Sequence, residues 1–89
     1  MKIPEKLLQA YIIRRIEELD QIDLAIHNKE YDLLFKIGHQ LKGNGAMYGF
    51  PEISSFGELV ETGATQHDLN VIQIQFSAYR NFITELSNK

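Results

Sequence analysis

Ile37-Gly38-His39-Gln40-Leu41-Lys42-Gly43-Asn44-Gly45-Ala46-Met47-Tyr48-Gly49-Phe50 is the stretch whose reading decides the fold. It holds a histidine, a lysine, four glycines and an aromatic pair within a few helical turns. Each glycine costs an isolated helix roughly 1 kcal/mol against alanine, so bare backbone must serve a purpose here. At about 100° per residue, Tyr31, Leu34, Ile37, Gly38, Leu41, Gly45 and Tyr48 fall in one broad apolar stripe. His39 stands roughly 130° from the centre of that stripe and is expected to point away from the core. Its helical neighbours at i−4, i−3, i+3 and i+4 are Phe35, Lys36, Lys42 and Gly43. Lys42 sets a cation beside the imidazole, and Gly43 leaves open ground where a side chain would crowd the ring. An imidazole near neutrality can act as nucleophile, acid, base or ligand, and a phosphoryl group on it would gain from the adjacent ammonium. Gly38 and Gly45 point inward and read as close-packing positions.

Outward from this stretch the periodicity is helical. Leu8, Ile12, Arg15, Leu19, Ile22 and Ile26 recur at 4-3-4-3-4 behind Pro4, which suits a first turn. They predict a helix over about 4–26, with Ile13 and Ile16 widening its apolar face and Arg15 snorkelling to solvent. His27-Asn28-Lys29 is a short polar connection, with Asn28 a fair N-cap for a second helix over about 29–47. Gly49 fits the left-handed position past that helix, and Pro51 the first turn of a third over about 51–62. The third helix turns Ile53, Phe56 and Val60 inward and ends at Gly63, with Gly57 allowing close helix contact. Thr65-Gln66-His67-Asp68 reads as a capping box with aspartate in the glutamate position. Leu69, Ile72, Phe76, Tyr79, Ile83 and Leu86 then recur at 3-4-3-4-3 and predict a fourth helix over about 66–87. Val71-Ile72-Gln73-Ile74 fits a strand locally, but the six-position helical stripe outweighs it. Short links between consecutive helices imply an all-α, antiparallel up-down four-helix bundle over residues 1–89.

His39-x-Leu41-Lys42-Gly43, followed by Gly45, Gly49-Phe50 and Ile53, resembles the signature of histidine-containing phosphotransfer (HPt) domains, the helical phosphocarriers of multistep phosphorelays. The resemblance implies a phosphoryl group accepted on His39 Nε2 and exchanged with the aspartate of response-regulator receiver domains. It makes Lys42 the basic residue near the phosphate and Gly43 the small residue that lets a partner approach. Phe35, Lys36, Gln40, Lys42 and Gly43 become the expected partner-binding surface. The carrier is expected to hold no cofactor or metal of its own, Mg²⁺ residing on the receiver domain. Counting without gaps, Glu61 stands where phosphotransfer modules of chemotaxis-type kinases carry a glutamate bonded to the histidine. Glu61 lies beside the apolar stripe of the third helix and can reach across to His39 Nδ1; Glu58, one turn earlier, competes for that role.

Composition narrows the class. The 89 residues are 44% hydrophobic, enough for a single core without disulfides. With no cysteine there is no thiol nucleophile and no Cys-ligated zinc. A net charge of −3 argues against nucleic-acid phosphate binding. No apolar run reaches the roughly 20 residues of a membrane span, and the N-terminus lacks the apolar segment of a signal peptide. The expected partners are proteins, receiver domains and a (hybrid) histidine kinase, and the expected setting is a cytoplasmic, free-standing monomer. No glycine-rich phosphate loop for ATP is present. Two other readings stay open: the phosphotransfer module of a histidine kinase, and a helical interaction bundle without phosphorylation, with or without a metal on His39 and a carboxylate. Phe35, Met47, Tyr48 and Phe50 can all be core, with Phe35 preferred as an exposed docking residue. His27 and His67 sit in connections and read as structural or solvent-facing.

Overall fold

The computed structural model describes residues 2–88, so Met1 and Lys89 of the expected single domain lie outside the described residues. Four α-helices follow one another: α1 (Glu5–His27), α2 (Tyr31–Asn44), α3 (Pro51–Thr65) and α4 (Leu69–Ser87). One turn of 3-10 helix (Ala46–Tyr48) lies between α2 and α3, and no strand occurs among the described residues. Each helix packs on its sequence neighbour and α4 closes back on α1, which makes the antiparallel four-helix bundle that the periodicity predicts. The core is one cluster. Ile22, Leu34, Leu41, Ile53, Val60, Ile72 and Ile83 are its largest fully buried members, each contributing about 1.5–3 kcal/mol of transfer free energy.

α2 stops at Asn44 instead of about 47, giving way to the 3-10 turn, and α4 starts at Leu69 instead of about 66. The ends of α1 and α3 differ from the expectation for one shared reason. The expected Asn28 N-cap is instead the C-cap of α1; Glu30 precedes α2 and offers it no side-chain cap. Gly63 does not end α3, which continues to Thr65, and Gly63 is buried against Ile72. Both α1 and α3 close with a Schellman turn whose left-handed residue is not glycine: Lys29 (φ 56°) and His67 (φ 54°). The Glu30 amide donates to the Ala25 carbonyl at 2.9 Å, and the Asp68 amide to the Gly63 carbonyl at 2.8 Å, the long bonds of that motif. Without glycine the stop leaves no mark in composition. The capping box is likewise corrected: Asp68 alone caps α4 through the Asn70 amide, while the Thr65 hydroxyl bonds back to the Glu61 carbonyl. Gly49 (φ 90°) and Pro51 at the first turn of α3 stand as expected.

Two residues of α1 are also corrected. Arg15 does not snorkel; it is only 8% exposed, 3.3 Å from Glu18 Oε1 and stacked over the Tyr11 ring. The burial that encloses this pair holds the Glu18 carboxyl above its usual range. Ile13 faces solvent, and the inward place is taken by Tyr11, whose hydroxyl donates to Asn44 Oδ1 at 2.5 Å. Tyr11 also stacks on Tyr48 at 4.1 Å, tying α1 to the α2–α3 junction.

α2 and α3 are packed far more closely than any other pair. A Cβ on Gly38 would lie 2.6 Å from the Glu61 amide nitrogen and 2.8 Å from the Gly57 carbonyl oxygen. One on Gly57 would lie 2.7 Å from the Gly38 carbonyl oxygen and 2.8 Å from the Leu41 carbonyl carbon. Main chain thus meets main chain. Around Gly43, by contrast, nothing stands within 4 Å of the missing Cβ. The same substitution is therefore expected to act in opposite directions: in urea unfolding, Gly57→Ala should lose about 1–3 kcal/mol through overpacking, whereas Gly43→Ala should be neutral or gain up to about 1 kcal/mol from helix propensity.

Candidate functional site

The seam between α2 and α3 presents three polar side chains to solvent. His39 lies on α2 with its side chain 70% exposed, and Glu61 on α3 with 19% exposed. His39 Nδ1 and Glu61 Oε2 are 2.6 Å apart. The other carboxylate oxygen, Oε1, is 3.6 Å from Lys42 Nζ. One glutamate thus touches the histidine with one oxygen and the lysine with the other. Lys42 lies three residues beyond His39, so a single helical face carries both partners to it.

The glycine crossing explains why Glu61 reaches. Glu61's own amide sits against Gly38, the residue before His39, so the short distance between helix backbones brings the carboxylate to the imidazole. Glu58, the competing residue, is exposed one turn away on α3 and makes no contact with His39. The Lys42–Glu61 contact was not legible from spacing, because it depends on how two separate helices are rotated about their axes.

The site's electrostatics follow. The hydrogen bond from His39, aided by the Lys42 charge and opposed by partial desolvation, holds the Glu61 carboxyl below its usual range. Glu61 is therefore ionised at neutral pH and has no proton to give. Nδ1 must carry the hydrogen, donating to Oε2, so in the neutral ring the lone pair belongs to Nε2. Phe35, 43% exposed, lies one turn before His39 with its ring nearly parallel to the imidazole, centroids 6.0 Å apart. Lys36, Gln40, Lys42 and Gly43 are all exposed on the same helix. Met47 is exposed as well, while Tyr48 and Phe50 are half-buried against the core. His27 is exposed at the end of α1, and His67 stacks on Tyr31 at 4.0 Å, far from His39 in the chain and joined to a different connection. Among the described residues no three His, Cys, Asp or Glu side chains converge to hold a metal, and no helix is long and apolar enough to cross a membrane.

The Glu61 contact should titrate. A carboxylate whose folded midpoint is lowered adds stability that is complete above the ordinary glutamate midpoint of about 4.3 and is lost as pH falls through the lowered one. Carbon-detected NMR titration should place the Glu61 midpoint below the ordinary glutamate value, and His39→Ala should raise it. A Glu61 midpoint at the ordinary glutamate value, unmoved by His39→Ala, would show that the contact is not populated in solution.

The site is thus a solvent-open histidine on a helix, with a lysine one turn on, bare backbone beside it and a glutamate from the next helix on its Nδ1. The family model for the Hpt domain matches residues 6–89, nearly the whole chain. No curated protein and no solved structure gave a match. With the family model covering all four helices of the bundle, this chain belongs to the Hpt domain family, the histidine phosphotransfer domains of phosphorelays.

Proposed function

We propose that this protein is a phosphocarrier that accepts a phosphoryl group on His39 Nε2 and exchanges it with the aspartate of response-regulator receiver domains. The observation that carries this reading is the 2.6 Å contact between Nδ1 and Glu61, which leaves Nε2 as the free lone pair on a ring open to solvent. In the forward step Nε2 attacks the phosphorus of an aspartyl phosphate. The N–P bond forms as the P–O bond to the aspartate breaks, and that carboxylate leaves with the electron pair. The ring becomes cationic while bonded to phosphorus, and the Glu61 carboxylate beside Nδ1–H offsets that charge. Lys42 Nζ is loosely held at 3.6 Å and 47% exposed, so it can swing from Glu61 to the phosphoryl oxygens. Open ground at Gly43 admits the partner's surface, and Phe35 with Lys36 and Gln40 surrounds the approach. Mg²⁺, held by the receiver domain, neutralises charge during transfer. The partners are a receiver domain and a (hybrid) histidine kinase, meeting the carrier in the cytoplasm, and the carrier works as a monomer.

A second reading rests on the identity of the group at Nδ1. A glutamate there is the feature shared with phosphotransfer modules of chemotaxis-type kinases, so the chain can also serve such a kinase. The two readings separate by donor: the carrier takes label from a phosphorylated receiver domain, the module from ATP through its kinase.

Incubation with a labelled receiver domain should give an acid-labile, alkali-stable label on the chain, and none on His39→Gln. Label retained by His39→Gln would overturn the assignment. Glu61→Ala should slow transfer about 10- to 100-fold, the range seen when a group orienting a histidine is removed, and ¹⁵N shifts of the ring should show loss of the Nδ1–H tautomer. An unchanged rate would remove Glu61 from the mechanism. Lys42→Ala should cost about tenfold, or 1.4 kcal/mol of barrier. Gly43→Leu should fold normally yet transfer slowly, because it obstructs the partner without touching the chemistry.

A further inference from the structure

The hairpin of α3 and α4 carries an apolar groove that the His39 site does not use. The groove measures about 350 Å³, with Glu52, Ser55 and Leu59 along α3 and Gln75, Ala78 and Phe82 along α4. A second depression on the same seam shares Ser55 and Leu59 and continues to Glu58, Thr62 and Val71, so the two form one trough. Beside it Ile74 is 72% exposed and Val71 39%, although the inward stripe of α4 is already filled by Ile72, Phe76, Tyr79 and Ile83. α4 therefore has two apolar faces, one satisfied by the core and one open. Around the α3 axis Ser55 and Leu59 stand roughly 120–160° from Glu61, so the trough opens on a different side from the histidine.

Charge on this hairpin is one-sided. α3 and α4 hold four glutamates, Glu52, Glu58, Glu61 and Glu85, against a single cation, Arg80. Arg80 is turned away from the trough, its guanidinium 3.7 Å from Asp20 of α1 and over the Phe76 ring. Glu52 and Glu58 are exposed on the α3 rim and have no ion-pair partner among the described residues. The trough thus combines an apolar floor with an acidic edge that nothing on its own helices neutralises.

We infer that this trough docks a basic amphipathic helix of a partner protein, its apolar side between α3 and α4 and its lysines or arginines along Glu52 and Glu58. A groove between two helices accepts a third through anchors at i, i+3, i+4 and i+7, and the acidic rim selects the cationic partner and steers it in. A second copy of this chain fits poorly, since a two-fold contact of the trough would bring the acidic rim of one copy to that of the other, like charge against like. The docked helix leaves His39 and Gly43 open, so the partner can hold the carrier while phosphotransfer proceeds on the other side.

The test uses the full chain, ¹⁵N-labelled, and as probe an amphipathic helical peptide of leucine and lysine about 18 residues long, roughly 27 Å. Two controls accompany it: a peptide of the same composition shuffled to remove the apolar face, and a leucine–glutamate peptide of the same pattern. Saturable shifts confined to residues 52–62 and 71–82, with the His39 and Gly43 amides unmoved, are expected. Affinity should fall several-fold between about 0.05 and 0.5 M salt. It should fall about tenfold in the double variant Glu52→Lys, Glu58→Lys, whose sites are exposed and leave the fold intact. Ala78→Trp, filling the trough from another exposed position, should abolish it. Absence of binding, equal binding by either control, shifts centred on His39, or affinity unmoved in both variants would overturn the inference. So would concentration-dependent shifts of the trough without peptide, which would make the occupant a second copy.

Discussion

Main chain touches main chain where α2 crosses α3, because Gly38 and Gly57 carry hydrogen where other residues carry a Cβ. That crossing sets the separation of the two helices, and the functional site depends on the separation. A glutamate side chain spans only a few ångströms. Glu61 meets Nδ1 at 2.6 Å because its own backbone amide already lies against Gly38. Spreading the helices by the width of a methyl group would leave the carboxylate short of the ring.

The site is consequently stiff on one side and loose on the other. The imidazole is held at Nδ1 by a short, charge-assisted bond to a mostly covered carboxylate. Lys42 is held weakly, at 3.6 Å and half in water, and keeps the freedom to follow charge. In the proposed role, a carrier that must both receive and release a phosphoryl group benefits from that division. A rigid ring fixes which nitrogen reacts, while a mobile cation can serve the free and the loaded state without trapping either one. The surroundings are open: nothing stands near the missing Cβ of Gly43, and the exposed side chains around it are of mixed polarity.

The rest of the bundle holds this seam in place. Tyr11 bonds Asn44 and stacks on Tyr48, so α1 braces the C-terminal end of α2 and the turn before α3. Arg15 is buried against the Tyr11 ring, and the largely covered Glu18 lies 3.3 Å from its guanidinium. Breaking a buried pair by removing one partner leaves an uncompensated charge, so the two residues stand or fall together. α4 contributes its inward stripe to the core and leaves a second apolar face beside an acidic rim, an asymmetry the core does not require.

Four helices, their order and most of the residues each turns inward, Tyr11 of α1 excepted, were legible in the amino-acid sequence, because amphipathic spacing is a local property that burial then selects. So was the outward place of His39, which follows from its angle to the stripe. The helix ends at Lys29 and His67 were not, since the left-handed residue there is stabilised by bonds back to Ala25 and Gly63 rather than marked by glycine. Nor was the fate of Arg15, whose burial required Tyr11 and Glu18 to close over it. Between Glu58 and Glu61 the sequence alone left the choice open. Only the tertiary structure decided it, because which carboxylate reaches Nδ1 depends on the rotation and closeness of two helices. Those are set jointly by Gly38 and Gly57, nineteen positions apart along the chain. Periodicity within one helix carries no information about that.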